Sequence, residues 1–321
     1  MVAETATVQK QGEKLIANIG KVIVGKDETA KLLLTALLAG GHVLLEDVPG
    51  SGKTKLARSL AASLQAEFAR IQFTPDLLPS DVTGMNIYNR KTDEFELHKG
   101  PAFTNILLAD EINRATPRTQ AGLLECMEEK QVTIDGVSYQ LPEPFFVIAT
   151  QNPVENAGTF PLPEAQLDRF IMKLSMGLPS QEEEQQILRR FGKEDPLKTL
   201  TPAITTEEFS QMKKKAETVF VHEAIEEYLV KIAAATRNND KIIMGVSTRG
   251  TLALLHCAKA YAALEGREYC IPDDIRKLAV PVLAHRLVIS YGYQQGKEAE
   301  NLIAEILKKT EVPTEDFSQI R

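Results

Sequence analysis

The residues with the clearest chemical potential are Pro49-Gly50-Ser51-Gly52-Lys53-Thr54, which follow a short apolar run and open a helical pattern. Glycines let the backbone curl so that successive N–H groups point inward at phosphate oxygens. A helix N-terminus adds its partial positive charge. In such a loop Lys53 reaches the β- and γ-phosphates of a nucleotide, and the Thr54 hydroxyl binds Mg²⁺. Lys55, the next residue, is counted with the nucleotide-binding set. The full eight-residue pattern begins with glycine, whereas this chain has Asp47 there. The strict expression therefore fails at its first position.

A second signal is Ile106-Leu107-Leu108-Ala109-Asp110-Glu111, an apolar strand that ends in two adjacent acids. In a nucleotide site Asp110 would hold Mg²⁺ through water. Glu111, on the other face of an extended chain, would act as general base on the attacking water. Such a pair favours hydrolysis over transfer to a bound acceptor. A third apolar run leads into Ala149-Thr150-Gln151-Asn152-Pro153. Asn152 then stands at a strand's C-terminal end, where open α/β sheets place ligand-binding groups. Its amide could orient the water or touch the γ-phosphate, or make an Asx turn before Pro153. Two arginines complete the set. Arg169 lies in Leu167-Asp168-Arg169-Phe170, and Arg249 follows Ser247-Thr248 at the start of a helical pattern. Each is either a surface ion-pair arginine or an anion-binding group. A cation in a helix's first turn opposes the helix dipole, and a nearby anion would explain it.

These residues need a scaffold, and the first half of the chain supplies one. Short apolar runs at His42–Glu46, Phe68–Phe73, Asn105–Asp110, Phe145–Thr150 and Arg169–Leu174 are separated by long connections. That is how a parallel sheet buried on both faces reads. Helical spacing covers Asp27–Ala39, ending at Gly40-Gly41, then Thr54–Leu64 and Gln120–Glu129. Val132–Tyr139 alternates around Asp135-Gly136, the pair favoured in a type I′ turn, and predicts a hairpin. Met85–Leu97 alternates around Lys91–Glu94 and predicts a second. The character changes near Pro179. Ser180-Gln181-Glu182-Glu183 has capping-box spacing. Beyond it His222–Arg237, Thr251–Leu264 and Asp273–Val288 are helical in pattern, and strand patterns almost vanish. The expectation is an α/β nucleotide-binding domain over 1–178 and a smaller all-helical domain over 179–321, both within the usual size range.

Composition narrows the function classes. The 321 residues are 43% hydrophobic and 25% charged, the balance of a soluble globular chain. No apolar stretch approaches the roughly 18 residues of a membrane helix. The N-terminal residues lack the apolar core of a signal peptide. Three scattered cysteines, Cys126, Cys257 and Cys270, form no CxxC pair and predict neither a disulfide framework nor zinc. Reduced thiols in a cytoplasmic protein are the simplest account. A net charge of −7 argues against general attraction to nucleic acid. Lys213-Lys214-Lys215 reads as a solvated helix face, and His256 as a packed or partly exposed residue rather than a ligand.

The phrases LLEDVPGSGKT, LLADEINRATPRTQAGLLECMEE, VIATQNPVENAGTFPLPEAQLDRF and GVSTRG resemble the AAA+ ATPases, and the MoxR group in particular. The resemblance runs from about Val22 to about His285. It implies an AAA+ P-loop core with a five-stranded parallel sheet and a helical lid. It implies ATP and Mg²⁺ as cofactors, with Lys53 and Thr54 as Walker A and Asp110 and Glu111 as Walker B. Asn152 would be sensor 1, Arg169 the arginine finger and Arg249 the sensor 2 residue. Val24 and Gly25 lie where the family's N-terminal segment passes the adenine. The two hairpins look like inserts that face a central pore, and Arg114 and Arg118 would add to a subunit interface. The implied assembly is a homo-oligomeric ring, usually a hexamer. It would remodel a protein substrate, with a von Willebrand factor A domain protein as a partner. A helicase-type nucleic-acid motor and a slow ATP-binding switch are the competing readings.

Overall fold

The computed structural model describes residues 4–48, 50–152, 158–192, 194–290 and 297–318. The chain opens with two helices, α1 (Glu4–Gly20) and α2 (Asp27–Leu38). It then enters β1 (His42–Glu46), α3 (Lys53–Ser63), β2 (Phe68–Gln72) and the short α4 (Pro79–Thr83). A hairpin of β3 (Gly84–Asn89) and β4 (Glu94–Lys99) precedes β5 (Ile106–Asp110) and α5 (Pro117–Glu129). A second hairpin, β6 (Gln131–Ile134) and β7 (Val137–Gln140), precedes β8 (Phe146–Gln151), α6 (Glu164–Leu167) and β9 (Phe170–Leu174). The remainder comprises α7 (Gln181–Phe191), α8 (Thr206–Glu217), α9 (Glu223–Arg237), β10 (Ile242–Met244), α10 (Thr248–Leu264), α11 (Pro272–Leu283), β11 (Val288–Ile289) and α12 (Glu298–Lys309).

The five apolar runs form one parallel sheet in the order β2-β5-β8-β1-β9. Its inner strands are buried on both faces, which is why they read as continuous apolar runs rather than alternating ones. Helix α2 stops where the glycine pair stands. Gly40 takes φ +75°, its N–H bonds the Leu37 carbonyl, and the Gly41 N–H bonds the Ala36 carbonyl. This is a Schellman ending. In the second hairpin Asp135 and Gly136 both have positive φ, as a type I′ turn requires. Ser180 caps α7 reciprocally with Glu183.

Two expectations for the second half need correction. It is mainly helical, but β10 and β11 pair as a two-stranded antiparallel sheet. The pattern read as one helix over 273–288 is α11 to Leu283, then a 3₁₀ turn, then β11. Pro281 removes a backbone donor near the helix end, and short apolar pieces cannot be assigned by period alone. The polar-looking N-terminus is also a helix. Val8, Leu15 and Ile19 of α1 are buried in the same core that contains Leu60 of α3 and Leu254 of α10.

Two histidines, His42 buried and His285 half-buried, sit in this framework. The Val147 N–H donates to His42 Nδ1 (3.0 Å), so Nε2 carries the proton it shares with the Met127 carbonyl (3.0 Å). Burial pushes the His42 pKa down to about 4 and that of His285 to about 3. Both rings are neutral when folded and take up a proton on unfolding below pH 6.5, so acid favours unfolding. The expected outcome is a urea midpoint that falls as pH drops from 6.5 towards about 4, with a shallower fall in His42→Gln. An equal slope in that variant removes His42 from this role. Close packing gives a second expectation. A Cβ at Gly41 would lie 2.4–2.7 Å from three Ile171 side-chain atoms. Gly41→Ala should cost about 1–3 kcal/mol in chemical denaturation.

Candidate functional site

Strands β5, β8 and β1 are neighbours and parallel, so their C-terminal ends emerge along one edge. The loop to Gly52 leaves β1, Asp110 ends β5 with Glu111 directly after it, and Asn152 follows β8. A cavity of about 660 Å³ opens at this edge. Gly50, Ser51, Gly52, Lys53, Thr54 and Lys55 line it from the loop, and Asp110, Glu111 and Asn152 from the other two strand ends. Pro49 lies outside the described residues.

The loop fits a phosphate chain. Gly50 and Gly52 take φ of +84° and +92°, left-handed values open to glycine. Gly52 is the N-cap of α3 and offers no side chain to its first N–H groups, which leaves them for an anion. The Ser51 hydroxyl is buried with no hydrogen-bond partner among the described residues. Lys53 Nζ donates to the Asp47 carbonyl (2.9 Å), which holds the ammonium beside the loop it serves.

The acids are held by partners the sequence reading missed. Asp110 Oδ1 accepts from Thr150 Oγ1 (2.6 Å), and Oδ2 accepts from Arg70 Nη2 (2.7 Å). Glu111 Oε2 accepts from Gln72 Nε2 (2.8 Å) and pairs with Arg114 Nε (2.9 Å). The expectation that the two acids occupy opposite faces of an extended strand is wrong. Glu111 has φ +57°, so the chain turns at that residue and both carboxylates line the same cavity. Thr150 secures the turn by accepting from the Glu111 N–H (2.9 Å). Arg70 and Gln72 were legible in principle. They are polar residues two apart on an apolar strand, hence on one face. Arg118 is exposed.

Part of the wall is apolar, made by Val22, Ile23, Val24, Met176, Ile187 and Phe191. Gly25 adjoins this wall with φ +69°, and a Cβ there would collide with the Glu183 side chain at 1.7 Å. Lys55 Nζ lies 3.4 Å from the centre of the Phe191 ring and 3.6 Å from Asp195. Such a slot, between a loop of amides and a strip of aliphatic groups, suits a nucleotide with its base at the apolar end.

Arg169 and Arg249 do not line this cavity. They converge on Glu128 at the end of α5, at 3.1 Å and 2.6 Å. The anion that offsets the cation in the first turn of α10 is therefore a glutamate of the same chain, another residue the sequence reading passed over.

Asp47, the departure from the eight-residue pattern, has a packing role. Its buried carboxylate accepts from Ser175 Oγ (2.7 Å) and from the N–H groups of Met176 (2.8 Å) and Gly177 (3.0 Å).

Comparison with known proteins agrees with this geometry. The profile of the ATPase family associated with various cellular activities (AAA) matches residues 42–172, and that of the AAA lid domain matches 234–306. The protein Chaperone MoxR1 of Mycobacterium tuberculosis is 42% identical, over 87% of this chain and 76% of its own length. The chain belongs to the MoxR family of AAA+ ATPases. Another relative, the uncharacterized protein YeaC of Bacillus subtilis, is 53% identical over 94% of this chain and 95% of its own. The crystal structure of a candidate ATPase from Cytophaga hutchinsonii superposes with a TM-score of 0.88 at 38% identity and covers 97% of both chains. This MoxR-family chain is thus an ATPase with an AAA+ core and a helical lid.

The Asp47 contacts make a stability prediction. Asp47→Asn turns an amide donor towards N–H groups that now have an acceptor. Unfolding free energy should fall by about 1–3 kcal/mol, read by chemical denaturation.

Proposed function

We propose that this ATPase works as a closed homo-oligomeric ring, a hexamer, and spends Mg²⁺-dependent hydrolysis on remodelling a protein substrate. The observation that carries the ring is the arginine pair on Glu128, outside the cavity of its own chain. A guanidinium that stabilises charge on a transferred phosphoryl can come from a neighbour. In this reading Arg169 and Arg249 serve a phosphate other than their own, and a closed ring gives every cavity such a neighbour. Glu128 holds them until that contact forms.

Within each cavity the roles follow from position. The amides at Gly50–Thr54 and the Lys53 ammonium bind the phosphates. The apolar strip with Val24, beside Gly25, takes the base. Thr54 and Asp110 would hold Mg²⁺, which when bound offsets charge on the β- and γ-phosphate oxygens. Glu111 takes the proton of the attacking water, and Asn152 orients that water. Arg70, Gln72 and Arg114 neutralise or occupy the two acids and have to yield them during turnover. We place the boundary between core and lid at 178/179.

The protein-substrate reading draws on the first hairpin. Met85, Ile87, Tyr88 and Phe95 are exposed there, and Asn86 bonds Asp135 of the second hairpin (2.8 Å), so the two project together. Exposed apolar side chains grip polypeptide better than phosphodiester, and the net charge of −7 does not favour nucleic acid. A von Willebrand factor A domain protein is the partner this reading names, and the cytoplasm is the compartment. Among the described residues no helix is long and apolar enough to cross a membrane.

Glu111→Gln should retain ATP in a binding assay while turnover falls about 10²–10⁴-fold. Unchanged turnover would remove Glu111 as the base. Arg169→Ala should bind ATP as the parent does and lose hydrolysis by about 10³–10⁵-fold. Parent-rate hydrolysis in that variant would sink the ring assignment. Stimulation of the ATPase by DNA or RNA, rather than by protein, would favour the motor reading.

A further inference from the structure

Asp168 sits where three elements meet. It closes α6, directly precedes Arg169, and faces both α10 and the end of α11. Its carboxylate pairs with the Arg286 guanidinium and accepts from Ser247 Oγ (3.2 Å). Arg286 does more than neutralise it. Nη1 donates to the Asp168 carbonyl and Nη2 to the Phe170 carbonyl, both at 2.8 Å, while Nε donates to the Val282 carbonyl (2.8 Å). One buried guanidinium thus holds the peptide carbonyls on both sides of Arg169. Ser247 is the N-cap of α10, its Oγ accepting from the Gly250 N–H (3.1 Å), and Arg249 is the second residue of that helix. Gly250 lets the helix close on the guanidinium, since a Cβ there would lie 3.0 Å from Arg286 Cδ. The backbones beneath the two arginines are therefore tied to one carboxylate.

We propose that Asp168, with Arg286 and Ser247, is a positioning clasp that fixes Arg169 relative to Arg249, so that both guanidiniums reach a neighbouring subunit's triphosphate as one unit. The clasp rests on the reading that this pair acts across the subunit boundary. Glu128 gathers only the tips of two long, partly exposed side chains. What sets where the tips reach is the placement of the chain beneath them, and a misplacement of about 1 Å can cost about 10²-fold in rate.

The test uses the full chain and steady-state ATPase kinetics. Asp168→Asn should lower kcat about 100-fold and leave KM within about twofold, because its own cavity is untouched. Mixing it with Lys53→Ala subunits, whose loop is disabled but whose arginines are intact, should raise activity several-fold above the sum of the two alone. Arg169→Ala mixed in the same way is the reference. If the reference recovers and Asp168→Asn does not, the clasp is overturned. If neither recovers, action across the boundary falls, and the clasp with it. Should Asp168→Asn fail to fold, Ser247→Ala cuts only the link to α10 and undergoes the same mixing. A parent kcat in Ser247→Ala overturns the proposal.

Discussion

Strands β5, β8 and β1 run side by side in one direction, and their backbone hydrogen bonds fix where each of them ends. The phosphate loop, the acid pair and Asn152 follow those three ends, so the site inherits its geometry from the sheet. Leu108, Ile148 and Val43 on one face, and Leu107, Val147 and Leu44 on the other, face no solvent at all, which pins the register from both faces. A slip of one residue would reverse the face of every side chain. The left-handed turn at Glu111 then does locally what pleating cannot, bringing two consecutive carboxylates to one cavity. Thr150, on the neighbouring strand, secures that turn through both its donor and its acceptor.

Much of this was legible because it is local. The loop glycines, the apolar strand runs, the Asp135-Gly136 turn and the Ser180 cap each declare themselves within a few residues. What was not legible depends on partners far away in the chain. Arg249 is balanced by Glu128, 121 positions earlier, and Asp47 is satisfied by Ser175 and its neighbours, 128 to 130 positions later. No periodicity reports such pairs. The strand at 288–289 was missed because two residues carry no period, and α1 because its buried stripe includes Thr5 and Gly12, which break the run of apolar residues. Alternation on an extended chain predicted the wrong faces for Asp110 and Glu111, since a single positive φ defeats that rule.

The charges of the site are balanced within the chain. Arg70 and Arg114 each meet one of the acids, and Gln72 adds a neutral donor. All of these side chains are partly exposed, so water screens their attraction and each contact contributes modestly. They can be exchanged without unfolding anything. The Asp168–Arg286 pair is of another kind. Its guanidinium is almost wholly enclosed and bonds three carbonyls besides the carboxylate, so removing either partner strands a charge. The same chain thus uses weak pairs where groups have to move and an enclosed pair where the backbone has to stay.

Asp47 gives the phosphate loop a tether that glycine could not. Through its carboxylate the foot of the loop is bolted to the stretch 175–177, which leads out of the sheet towards α7, and through its carbonyl it touches the lysine that handles phosphate. The two ends of this residue join a lever to a grip. Any tilt of the segment after β9 is transmitted to the Lys53 ammonium across a single amino acid, with no intervening side-chain relay.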